Sequence, residues 1–208
     1  MVASFATPST LRPSALGTRL RSTRALPVLA LLLAWLPAQA AVFPPSLSLQ
    51  LDGERHELQY TGESARVFLI FRVYEIAHYA AIDDQSALTA EAALADDRSK
   101  ALVLHFQRDL GVERIRGEFA KSLRRNAQPG WLEAADDTIE RFLGAIDRGV
   151  TDGDRLVFYW LDGGHLRVEF NGERAFVAED TAFARLLWSI WFGADPVCDR
   201  EALLAGLS

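Results

Sequence analysis

Two arginines set inside apolar sequence are the side chains best placed to do chemistry in this chain. Residues 62–80 read GESARVFLIFRVYEIAHYA, so Arg66 and Arg72 lie among Val67, Phe68, Leu69, Ile70, Phe71, Val73 and Tyr74. A guanidinium in such company must pair with an acid, snorkel to water or meet a ligand. Other chemistry is poorly supplied. There is no Gly-rich phosphate loop, GxSxG elbow, HExxH helix or paired-cysteine motif, so hydrolase, nucleotide and zinc readings have no footing. The only cysteine is Cys198, and His56, His78, His105 and His165 are not spaced as ligands. Asp83-Asp84, Asp96-Asp97 and Asp136-Asp137 read as turn or solvated-helix acids. No metal or cofactor is expected.

The element that must position Arg66 and Arg72 reads as a strand. Residues 67–76 form a near-continuous run of β-branched, aromatic and aliphatic types, which suggests a central strand covered on both faces. Alternation puts Arg66, Phe68, Ile70, Arg72, Tyr74, Ile76 and His78 on one face, and Val67, Leu69, Phe71, Val73, Glu75, Ala77 and Tyr79 on the other.

The first forty residues read as a targeting segment. Arg19, Arg21 and Arg24 precede an apolar run over 25–36 that ends in Pro37-Ala38-Gln39-Ala40, giving a charged region, an apolar core and an A-x-A cleavage site. The run is short of the ~20 residues a membrane span needs, so an uncleaved anchor is the lesser alternative to a cleaved signal. A signal peptide over 1–40 implies a periplasmic or secreted domain over 41–208, with no integral membrane segment after cleavage. That domain has enough chain for a sizeable core. The removed segment carries Arg12, Arg19, Arg21 and Arg24 and no acid, so the formal charge moves from −6 to −10. Such an acidic domain is a poor partner for nucleic acid or an anionic lipid surface. One cysteine allows no internal disulfide, so packing must stabilise the fold.

Further along, Leu47, Leu49 and Leu51 alternate before Asp52-Gly53, and Leu58 and Tyr60 follow: a hairpin signal. Thr61-Gly62-Glu63 reads as a chain break. Residues 86–98 are Ala-rich and suit a short helix with a loop, and 101–107 suit a strand. Val112, Ile115, Phe119 and Leu123 recur at helical spacing, ending near Asn126 and Pro129. A second amphipathic helix is predicted over 133–147. Asp162-Gly163-Gly164 and Asn171-Gly172 then divide 155–178 into a three-stranded meander. A helix over 181–192 and another over 199–207, opened by an acidic cap, close the chain. Strands, helices, strands and helices in that order predict an α+β fold, an antiparallel sheet with helices packed on one face.

In sequence, the chain resembles the chalcone isomerase-like proteins of bacteria. Those show a Gly-x-x-x-Arg turn, here Gly62 to Arg66, then Phe-Lys-Val-Tyr and Leu-Tyr, here Phe71-Arg72-Val73-Tyr74 and His78-Tyr79. A Leu-x-Phe-x-Arg-Asp strand end matches 104–109, a Gly-Asp start matches Gly153-Asp154, an Asn-Gly turn matches Asn171-Gly172, and an Ile-Trp-Leu-Gly-x-x-Pro ending matches 190–196. The order of these matches, spanning about residues 47–207, carries the resemblance.

The resemblance implies an open-faced sandwich with a ligand cleft between sheet and helices. In plant chalcone isomerases an arginine stabilises the enolate, while threonine, tyrosine and asparagine order water and bind substrate. Those positions fall on Arg66, Tyr74, Phe119 and Asn126. Phe119 has no hydroxyl, and losing one oxyanion donor costs about 10²–10³ in rate, which argues against turnover. Non-catalytic relatives of the fold bind fatty acids through the arginine and a tyrosine, a role that Arg66 and Tyr74 could fill. The expected partner is thus a small amphipathic carboxylate; the alternative is an intramolecular lyase or isomerase acting on an enone. A third reading, an interaction protein without a pocket, draws on Trp188 and Trp191. Spacing raises one difficulty: eight positions on a straight strand put Arg66 ~26 Å from Tyr74. Either a bulge intervenes or Tyr74 stands outside the site. Phe119 and Asn126, two helical turns apart, could line one pocket together.

Overall fold

In the computed structural model, residues 42–51, 53–82, 88–95 and 98–207 are described. The targeting segment expected over 1–40 lies outside them, as do Asp83-Asp84, Asp96-Asp97 and part of the helix expected over 86–98. Among the described residues seven strands form one antiparallel sheet in sequence order: β1 (Ser46–Leu51), β2 (Glu54–Phe68), β3 (Phe71–Ala80), β4 (Lys100–Phe106), β5 (Arg155–Leu161), β6 (His165–Phe170) and β7 (Glu173–Glu179). Helix α1 (Ala90–Ala93) joins β3 to β4. Between β4 and β5 come α2 (Val112–Asn126), α3 (Trp131–Ala134) and α4 (Asp136–Ala145), and α5 (Thr181–Phe192) follows β7. The α+β sheet-and-helix architecture expected from the sequence is the one observed.

Strand parity divides the core. Ile76, Leu102, Leu104, Phe158, Trp160, Leu166 and Val168 point to the helix side, where Phe183, Leu186, Leu187, Trp188, Ile190 and Trp191 of α5 meet them. Their neighbours Ala77, Tyr79, Ala101, Val103, Val157 and Tyr159 point the other way and are buried with Leu47, Leu49 and Leu58. That two-sided burial explains why β3, β4 and β5 carry apolar residues without a polar face. Helix α5 is the centre of the helical layer. Its first turn is capped by Asp180, whose Oδ1 accepts from the Phe183 N–H at 2.9 Å while Oδ2 accepts from Thr138 Oγ1 at 2.7 Å. Trp188 and Trp191 are buried in the core, which removes the basis for a tryptophan interaction face.

Three local expectations are corrected. The run over 62–80 is not one strand: β2 ends at Phe68, the chain reverses at Leu69 and Ile70, and β3 starts at Phe71. Leu69 takes φ 58, a left-handed conformation usually left to Gly or Asn, so no residue type announced the turn. Nor is 61–63 a break. Gly62 marks a register shift inside β2, at φ 149, and a Cβ there would stand 2.2 Å from the Ala202 carbonyl oxygen of the C-terminal segment. Lastly, the helix expected over 133–147 is divided at Ala135, which is buried at φ −117, ψ 10.

The closing helix is a 3-10 helix over Ala202–Leu207, and its acidic cap is present: Asp199 Oδ1 accepts from the N–H groups of Glu201 and Ala202. No helix among the described residues is long and apolar enough to cross a membrane.

Candidate ligand cavity

Folding the 62–80 run into a hairpin puts Arg66 directly opposite Tyr74. They are Cα partners in the β2–β3 ladder, and the next pair, Val67 with Arg72, skips Val73 as a bulge. Directly opposed residues project from the same face of a sheet. Both side chains therefore enter the helix side, where they line a cavity of about 380 Å³. The spacing difficulty disappears because the chain reverses between them.

Each is fixed by a long-range contact. The Arg66 guanidinium donates from Nη1 to the Val197 carbonyl at 2.9 Å, in the segment after α5. Tyr74 packs edge-on against Phe106 with ring centroids 5.8 Å apart, and its hydroxyl accepts from Trp191 Nε1 at 3.1 Å. Chiefly through burial, the Tyr74 phenol is held well above its ordinary titration range, so it is a neutral hydroxyl with its proton to donate.

The cavity walls are Leu104, Phe106, Ile115, Phe119, Ile190 and Trp191. Arg108, Asp109, Arg114 and Glu118 also line it, and Arg114 pairs with Glu118 at 3.2 Å. Among the described residues no acid forms an ion pair with Arg66, whereas Arg72, Arg114, Arg116, Arg125, Arg148, Arg167 and Arg200 each have one. Arg66 thus brings a positive charge and several donors to an apolar chamber. That combination suits an anion with an apolar body.

Phe119 borders the cavity and a second one of about 260 Å³ on the side of Phe142 and Phe176, and Phe106 and Ile115 likewise line both. Its ring stands edge-on to Phe142 at 5.3 Å and to Phe158 at 6.0 Å. Asn126 is placed elsewhere. Its amide donates to the carbonyls of Ser122 and Asp195 at 3.2 and 3.1 Å, and its Oδ1 accepts from the Asp195 N–H at 2.9 Å. It ties the end of α2 to the chain leaving α5. Gly193 fits there only without a side chain, since a Cβ would lie 2.7 Å from Asn126 Oδ1. Asn126 is not among the residues lining either of the two cavities that Phe119 borders, although the two-turn spacing is compatible with a shared pocket. Trp191 and the Val197 carbonyl, which hold Tyr74 and Arg66, are not singled out by the sequence as site groups; there Trp191 reads as helix core, as part of the 190–196 match and as a basis for the interaction-protein reading.

An antiparallel seven-stranded sheet with a cavity under its helices, and a strand arginine in the cavity wall, defines an α+β open-faced scaffold. The chain belongs to the chalcone isomerase-like family, whose profile matches residues 40–206. No curated protein matched the sequence. Among solved structures, an Arabidopsis thaliana fatty-acid binding protein is similar with a TM-score of 0.61 at 17% identity, over 78% of this chain and 90% of that one. At that identity the likeness speaks for the fold alone.

Proposed function

We propose that this protein binds a small amphipathic carboxylate, a fatty acid being the type case, without transforming it. The observation that carries the reading is the cross-strand pair of Arg66 and Tyr74 on one wall of an apolar cavity. The guanidinium and the phenolic O–H both donate, and a carboxylate oxygen accepts from both. The apolar walls then take the hydrocarbon. The fatty-acid binding protein of similar fold supports this choice of ligand class. The isomerase alternative has less support: Phe119 brings no hydroxyl, and the Asn126 amide is committed to backbone groups. Residues 1–40 we read as an export signal that delivers the domain to the periplasm, which N-terminal sequencing of the mature protein tests.

Native mass spectrometry of the protein purified from its host, followed by denaturing extraction, tests the binding reading. A stoichiometric lipid acid that is absent from Arg66→Ala is the expected result; an empty protein that also takes up no added fatty acid contradicts it.

A further inference from the structure

The tip of the β2–β3 hairpin breaks the rules that govern soluble turns. Val67, Phe68, Leu69, Ile70 and Phe71 are consecutive and all exposed, Leu69 and Ile70 at 80% and 85%. Turns ordinarily take Gly, Asn, Asp or Ser, and a left-handed leucine is sterically strained. A run of five exposed apolar residues is a surface that expects to be covered.

Arginines surround it. The Arg108 guanidinium lies over the Phe71 ring at 4.7 Å and that of Arg114 over Phe68 at 5.4 Å, while Arg72 follows the tip directly. Phe68 also lines the cavity, as do Arg108 and Arg114, so the tip and the cavity share a rim.

We infer that this hairpin tip inserts into the surface of a lipid bilayer, docking the cavity mouth where an amphipathic acid would enter. The occupant follows from shape and charge. A convex five-residue tip falls far short of the roughly 20–30 residues a side that a stable protein interface uses. A bilayer, by contrast, accepts an apolar tip at its acyl boundary while guanidinium groups meet lipid phosphates. Because Arg72 and Arg114 are paired with Glu75 and Glu118, apolar insertion drives the docking rather than net charge, and an acidic protein can still bind zwitterionic lipid. The direction of ligand traffic rests on the binding function proposed above; the docking itself does not.

The test places a polarity-sensitive fluorophore on the full chain at Ile70→Cys in a Cys198→Ser background. The same label at Glu54→Cys, about 45 Å away at the other end of β2, is the control. Phosphatidylcholine vesicles should raise and blue-shift the emission at position 70 and leave position 54 unchanged. Adding Leu69→Ser should weaken the response about tenfold. Equal responses at the two positions, or none at 70, overturn the inference. So does a rise at 70 with protein concentration in the absence of vesicles, which would assign the tip to a second copy. The label separates this inference from the binding function. A vesicle response in a chain that binds no fatty acid upholds docking and sinks the proposed ligand; fatty-acid binding in solution without a vesicle response does the reverse.

Discussion

Arg66 on β2 and Tyr74 on β3 face each other across an antiparallel hairpin, eight positions apart in sequence and adjacent in the sheet. The pairing gives one cavity wall a fixed cation beside a neutral phenol. Trp191 of α5 and the carbonyl of Val197 hold the two in place.

If the Tyr74 hydroxyl helps hold a carboxylate, Tyr74→Phe should weaken fatty-acid binding several-fold while the ring keeps its place on Phe106. The change also leaves the buried Trp191 N–H without its acceptor, at a cost of about 1–3 kcal/mol. Titration calorimetry beside urea unfolding separates the two effects. Unchanged affinity would remove Tyr74 from the site.

Phe119→Ala should join the two cavities that this ring borders. Preference should then move toward longer acyl chains, read from a series of saturated acids, with a stability loss of about 3 kcal/mol or less because the ring is half-buried. No change in the chain-length profile would show that the second cavity is not continuous with the first.

Asn126→Ala should act on stability and not on ligand. Removing an amide that makes three bonds, two of them with Asp195, should cost about 1–3 kcal/mol and leave fatty-acid affinity as it was. A large affinity loss at unchanged stability would return Asn126 to the site.

Much of the fold was legible because its turns are written in glycine. Asp162-Gly163-Gly164 and Asn171-Gly172 announce the β5–β7 meander, and the spacing of Val112, Ile115, Phe119 and Leu123 announces α2. The reversal at Leu69 and Ile70 was not legible, since apolar types at an exposed turn look like a buried strand. Missing that one turn made Arg66 and Tyr74 seem ~26 Å apart. Asn126 was misplaced for a different reason. Its position on α2 is compatible with a pocket, but a segment 69 residues away claims its amide, and helical spacing cannot reveal that.

Acid should destabilise the protein through His78. This side chain is fully buried, its Nδ1 lies 2.6 Å from Thr61 Oγ1, and burial followed by the charge of Lys100 pushes its pKa down to about 3. The unfolded chain takes up a proton near the ordinary value of about 6.5. Between those values the unfolded state binds more protons, so stability is full above pH 6.5 and falls as the pH drops toward 3. The slope reaches about 1.4 kcal/mol per pH unit. Denaturant unfolding across that window should show the fall, and His78→Gln should flatten it. An equally steep fall in the variant would assign the effect to other groups.

The most direct test compares a fatty acid with the fatty alcohol of equal length, titrated into the wild-type protein and Arg66→Ala. Both ligands fill the same apolar walls, so their difference isolates the charge. Arg66 as the anchor predicts that the wild type prefers the acid by about tenfold or more, and that Arg66→Ala loses the preference while still binding the alcohol. An acid preference that survives in Arg66→Ala would contradict the assignment of Arg66 as the residue that holds the carboxylate.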